Sequence, residues 1–160
     1  IPARAKVTGI YVNSALAKTE AHEAGADEAI MLTSAGNVSE GSGENIFIVK
    51  NGALHTPAVT DNILEGITKY TVEFLAKQEL GIDTVSRSIA RSELYTADEV
   101  FMTGTAAHVT PVLQVDNRAV GEGAIGPVTA QLQKLYFDAI RGKIAKYRDW
   151  VSPVYTTVNA

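Results

Sequence analysis

The sequence predicts one α+β domain. Turn-bounded apolar stretches alternate like strands, three longer stretches repeat apolar residues at helical spacing, and no internal repeat or low-complexity linker divides the chain. The stretch from Tyr11 to Ala24 is rich in Ala, Leu, Lys and Glu and reads as a helix ending near Gly25. Glu28 to Thr33 reads as a mostly buried strand, and Ser34 to Asn37 as a turn. Asn45 to Lys50 and Ala53 to Thr56 flank Asn51-Gly52, the favoured hairpin turn, so this region is expected to form a β-meander.

A second helix is expected from Glu65 to about Glu79, with Ile67, Thr71, Phe74 and Leu75 on one face and Gly81 as its stop. Ile82 to Ile89 alternates like a strand, Arg91 to Asp98 is a short helix or turn, and Glu99 to Thr103 is a strand running into Gly104. Val109 to Val115 and Arg118 to Val120 are expected to pair across Asp116-Asn117. Gly126-Pro127 opens the last helix, because proline suits the first helical position. Val128, Leu132, Leu135, Tyr136, Ala139 and Ile140 form its apolar stripe. The tail after Trp150 has no clear pattern.

A chain of 160 residues can own a real core. The net charge is −4, and Lys and Arg are scattered, which argues against nucleic acid and anionic membrane as partners. With no cysteine there are no disulfides or thiolate metal ligands, and no metal site is expected. No apolar run approaches the ~20 residues that span a bilayer, so a cytoplasmic location is the expectation. The chain opens Ile1-Pro2-Ala3-Arg4 without a signal-peptide pattern and reads as the tail end of something longer.

Four segments carry the chemistry. Gly66, Ile67 and Thr68 sit at the start of the second helix, where unpaired N–H groups and a partial positive charge suit a phosphate. One helix end contributes only ~0.3–2 kcal/mol, so further donors are expected from Thr105 and its neighbouring amides, with an arginine from elsewhere. Gly104-Thr105-Ala106-Ala107 follows a strand and leaves backbone amides open to a phosphate or carboxylate; by itself it also fits a tight turn. Ser39-Glu40-Gly41-Ser42-Gly43-Glu44 reads as a loop with two carboxylates. A carboxylate held near a core there needs a cationic or protonated partner, and a pyridinium N–H is one. Lys6 lies in an uncharged stretch where its amine is expected to be desolvated. A neutral amine attacks an aldehyde to form a Schiff base. Together these are the parts that hold a phosphorylated aromatic aldehyde.

Several motifs in order resemble one family. They are Lys6 with Tyr11, Ser39-Glu40-Gly41-Ser-Gly-Glu44-Asn45-Ile-Phe47, Leu64-Glu65-Gly66-Ile67-Thr68, Glu99-Val-Phe-Met-Thr-Gly-Thr-Ala-Ala107, Thr110-Pro111-Val112 and Val120-Gly-Glu-Gly with Gly126-Pro127-Val128-Thr129. The chain resembles the branched-chain amino-acid aminotransferases, fold-type IV enzymes that use pyridoxal 5′-phosphate. The resemblance implies that Lys6 is catalytic and forms the Schiff base with the cofactor, then moves the proton between substrate Cα and cofactor. It implies that Tyr11 bonds the phenolic oxygen, Glu40 pairs with the pyridine nitrogen and Leu64 packs on the ring. Gly66, Ile67, Thr68 and Thr105 would meet the phosphate, and Thr105 and Ala106 the substrate carboxylate. The motif assigns Glu44 and Asn45 no chemistry. His108 stands where members often carry an acidic residue, and reads either as a modifier of substrate preference or as a surface histidine.

The resemblance further implies a β-sheet or barrel-like core with flanking helices. Residues 1–150 would be the larger C-terminal cofactor-binding domain and 151–160 a tail, with a smaller N-terminal domain, and its phosphate-clamping arginine, absent from this chain. The implied reaction moves the amino group of Leu, Ile or Val to 2-oxoglutarate, with amino acids and 2-oxo acids as small-molecule partners and self-association into a homodimer or larger assembly. The alternatives on the same frame are a D-amino-acid or amine transaminase and an aminodeoxychorismate lyase. A further alternative is an inactive fragment lacking half of the site.

Overall fold

A computed structural model describes residues 2–154, so the part of the expected tail from 155 to 160 lies outside the described residues. Helix α1 (Tyr11–Glu23) follows two short 3-10 turns, and Gly25, at φ +83°, closes it. Strands β1 (Ile30–Leu32) and β2 (Val38–Gly41) form an antiparallel ribbon. Then come β3 (Asn45–Lys50), β4 (Ala53–Thr56), α2 (Ile67–Leu80), β5 (Thr84–Ser86) and β6 (Glu99–Gly104). The chain continues with β7 (His108–Val112), β8 (Gln114–Val115), β9 (Arg118–Ala119) and α3 (Pro127–Ile140). Five strands form one sheet in the order β5-β4-β3-β6-β7, and β8-β9 make a second ribbon.

The β3–β4 hairpin forms as expected, because Asn51 and Gly52, at φ +52° and +75°, supply the left-handed pair that a tight turn demands. The wider β-meander does not form, since β2 pairs with β1 outside the main sheet. Strands β3 and β6 are buried on both faces and read as continuous apolar runs for that reason. On one face Phe47 stacks on Phe101, with ring centroids 5.0 Å apart. These rings join Leu75, Val72, Leu132 and Tyr136 from α2 and α3 in the first core. On the other face Ile46, Ile48, Val100 and Met102 meet Val38, Ile89, Leu94 and Val115 in the second core, so strands from all three sheets surround it.

Several expected elements shift. The strands at 28–33 and 82–89 shrink to β1 and β5, and the 109–115 strand breaks at Leu113 into β7 and β8. Both residues of the Asp116-Asn117 turn are left-handed, as the β8–β9 hairpin requires. Helix α2 begins at Ile67 with Gly66 as its N-cap, and Glu65 lies outside it. Its buried stripe is Thr68, Val72, Leu75 and Ala76, while Ile67 is exposed. The apolar count along the sequence placed the inward face about one residue early. Gly81, at φ +67°, ends α2 with the N–H of Ile82 returning to the Ala76 carbonyl. In α3, Val128 and Leu135 pack at the margin of the first core and Ile140 is exposed. Its start is held from a distance, because the buried carboxylate of Glu99 accepts the N–H groups of Val128 and Thr129 at 2.9 and 2.7 Å.

Candidate active site

Ser39, Glu40 and Gly41 belong to β2 and are not loop residues; only Ser42 to Glu44 turn the chain into β3. The extended backbone of β2 sends Glu40 to the opposite side from buried Ser39 and Gly41. Its carboxylate enters a cleft lined by Lys6, Tyr11, Glu40, Glu44, Asn45 and Leu64, together with Ile10, Ser14 and the Ser42-Gly43 turn. Four of the predicted site residues, Lys6, Tyr11, Glu40 and Leu64, are therefore brought together from three separate parts of the chain. Gly66, Ile67, Thr68, Thr105 and Ala106 do not line this cleft. The first three continue from Leu64 into the first turn of α2, and the last two occupy the exposed β6–β7 turn. A Cβ on Gly104, at the start of that turn, would lie a tight 3.3 Å from Cγ of Glu44, so a side chain there would require Glu44 to give way.

Glu40 Oε2 accepts the Leu64 N–H at 2.9 Å and an Asn45 Nδ2 hydrogen at 3.1 Å. Oε1 has no hydrogen-bond donor among the described residues. Burial pushes this carboxyl up to about 7, against the pull of the Leu64 N–H and the Lys6 ammonium, and Glu44 adds to the rise. Such a carboxyl is poised to share a proton with a basic partner.

Lys6 is exposed, so the desolvation expected from its uncharged neighbours does not occur in this chain; small residues flank it, but nothing described covers it. Its ammonium lies over the Tyr11 ring, 6.0 Å from the centroid. Its backbone is left-handed at φ +46°, a conformation that costs a non-glycine residue about 1 kcal/mol. Tyr11 starts α1, none of whose residues is buried, and Lys18 anchors that helix through Glu28 at 2.7 Å. His108 does not reach the cleft. It is half-buried at φ +56°, and its ring packs 5.2 Å from that of Phe137 on α3. It is therefore neither a surface histidine nor a wall of the cleft.

Gly66 is held much more tightly than Gly104, because a Cβ there would come within 2.3 Å of Asn45 Oδ1. Sequence reasoning left Asn45 without a role. The available signal was a polar residue opening a strand that is otherwise apolar and buried. The residues present fit a pyridoxal phosphate group. A carboxyl with a free oxygen faces an amine and a phenol across one cleft, and a glycine-capped helix start follows directly from the cleft wall.

The family described as amino-transferase class IV matches residues 1–115. The chain belongs to this family. The class IV relatives include the probable branched-chain-amino-acid aminotransferase of Aquifex aeolicus, 63% identical over 155 residues, covering 97% of this chain and 50% of that protein. The branched-chain-amino-acid aminotransferase of Pseudomonas aeruginosa is 53% identical over 92% of this chain and 47% of its own length. The crystal structure of the branched-chain amino acid aminotransferase of Thermobaculum terrenum in its PLP form superposes with a TM-score of 0.94 at 42% identity. It covers 98% of this chain and 51% of that one. The branched-chain aminotransferase of the thermophilic archaeon Thermoproteus uzoniensis, with norvaline, gives 0.92 at 50% identity, over 97% of this chain and 51% of that one. The chain thus spans about half the length of the relatives it matches.

Proposed function

We propose that this chain carries the cofactor-binding part of a pyridoxal-phosphate-dependent branched-chain-amino-acid aminotransferase. Residues 1–150 are its larger C-terminal domain, and a smaller preceding domain completes the site. The observation that carries the reading is the cleft in which Glu40, with one free oxygen and a carboxyl lifted to about 7, faces Lys6 and Tyr11. The names of relatives at 53–63% identity support the branched-chain class over a D-amino-acid transaminase or a lyase. The exposure of Lys6 supports a second wall supplied from outside this chain.

Bound pyridoxal phosphate supplies an aldehyde carbon for the amine and a ring that accepts the electrons left when the substrate Cα proton departs. Lys6 Nζ, when neutral, takes that proton and returns it. Glu40 Oε1 accepts the ring N–H, and Tyr11 donates its hydroxyl hydrogen to the phenolic oxygen. The amides of Ile67 and Thr68 meet the phosphate at the start of α2, where Gly66 allows close approach, with Thr105 as a further donor. Leu64 packs on the ring, and the amides of Thr105 and Ala106 receive the substrate carboxylate. The partners are branched-chain amino acids and 2-oxo acids, in a homo-oligomer of the cytoplasm. No helix among the described residues is long and apolar enough to cross a membrane.

Borohydride reduction of the protein with pyridoxal 5′-phosphate, followed by peptide mapping, should place the label on Lys6 and lose it in Lys6→Ala. Label spread over surface lysines, unchanged in Lys6→Ala, would overturn the reading. A panel of L-leucine, D-alanine and aminodeoxychorismate then separates the branched-chain reaction from its alternatives; activity with D-alanine alone would exclude it.

A further inference from the structure

We infer that Asn45 is a positioning residue: its amide orients Glu40 toward the pyridine nitrogen and ties that carboxylate to the start of the phosphate-binding helix. The inference rests on the cofactor reading above. Asn45 opens β3 and is only 5% exposed, with its backbone fixed opposite Thr103 of β6. Its Nδ2 donates to Glu40 Oε2 at 3.1 Å and to the Leu64 carbonyl at 2.7 Å. The Leu64 carbonyl can only accept, so the amide nitrogen must face it, and Oδ1 is left facing Gly66. Leu64 closes the loop by donating its own N–H to the same Oε2 at 2.9 Å. One side chain therefore contacts the carboxylate at one end of the site, the ring-packing residue between, and the helix cap at the other end.

This arrangement decides where the Glu40 proton resides. Oε2 accepts two hydrogen bonds and cannot itself carry hydrogen toward either donor, so a protonated Glu40 bears its proton on Oε1. When a pyridine nitrogen meets Oε1, the proton passes from Oε1 to that nitrogen, leaving a carboxylate whose other oxygen is already held by two donors. Without the Asn45 amide, Oε2 keeps one donor, the carboxyl is free to turn, and the carboxylate loses part of what stabilises it. A merely structural asparagine would affect folding and leave the ring nitrogen unchanged.

The test uses the holoprotein reconstituted with pyridoxal phosphate carrying ¹⁵N in the ring. The wild type should show a protonated ring nitrogen at about pH 7–8, because the Glu40 carboxylate beside it favours the charged ring. Asn45→Leu, similar in shape without donors, should move the signal toward the unprotonated position and weaken cofactor binding about tenfold. If Asn45→Leu and Asn45→Ala fold but keep the wild-type signal and affinity, the inference fails. Should both variants fail to fold, the wild-type side-chain amide of Asn45 decides. In the cofactor-free protein its two ¹H signals should shift as Glu40 titrates near pH 7, and signals that do not move overturn the inference. A wild type that takes no label on Lys6 sinks the cofactor reading instead, and the amide titration distinguishes the two failures.

Discussion

Glu40→Gln should flatten the pH dependence of folding stability in the cofactor-free protein. The folded carboxyl loses its proton at about 7, against 4.5 for the ordinary group. At ~1.36 kcal/mol per pH unit this gap corresponds to about 3 kcal/mol if burial were complete. Glu40 is only half-buried and opens to a cleft, so screening by water leaves about 1–2 kcal/mol. The sign follows from which state holds the proton: between these values the folded chain keeps it and the unfolded chain has released it. The stability from this group is fully present below about pH 4.5 and is lost as pH rises through about 7. Urea unfolding followed by circular dichroism at several pH values, wild type against Glu40→Gln, reads the difference directly. The wild-type curve should fall relative to the variant by that amount between about pH 5 and 8. Parallel curves would refute the argument that burial controls this carboxyl. Saturating pyridoxal phosphate should abolish the decline, because a ring N–H replaces the missing donor at Oε1.

Other substitutions probe the supports. Glu99→Gln leaves one α3 N–H facing an amide hydrogen. It should cost about 2–3 kcal/mol, seen as a fall of roughly 5–10 °C in Tm. Gly66→Ala forces a Cβ to 2.3 Å from Asn45 Oδ1, so cofactor retention, measured by dialysis and absorbance, should fall at least about tenfold. Gly121→Ala meets the Asp98 carbonyl at 2.4 Å, whereas Gly25→Ala meets only its own positive φ. The first should destabilise by about 2–4 kcal/mol and the second by about 1 kcal/mol, compared by denaturant midpoint.

The readable parts of the fold were those set by local chemistry. Asn51-Gly52 specifies a left-handed turn wherever it occurs, and Gly81 and Pro127 punctuate helices by backbone sterics alone. The contributors to the cleft were readable because each motif is local: Lys6, Tyr11, Glu40 and Leu64 lie in short segments, and the fold only has to gather them. What escaped depended on distant partners. β2 is too short and polar to read as a strand until β1 pairs with it. Nothing near Glu99 in sequence announces that it caps a helix that starts at Pro127. The exposure of Lys6 also could not follow from uncharged neighbours, since their contacts are set by the rest of the fold.

The β3–β6 pair is apolar in its middle and polar at its ends. Asn45 opposite Thr103 stands by the cleft, and Glu99 opposite Val49 holds the start of α3. Each polar end has partners outside the sheet that it cannot exchange. A one-residue deletion inside either strand would turn Asn45 away from Glu40, or Glu99 away from α3, and re-pairing the strands would restore only one of the two. An inserted residue should therefore be tolerated better in a turn such as Ser34 to Gly36 than inside β3 or β6, and the distance along these two strands is fixed by what must be reached at both ends.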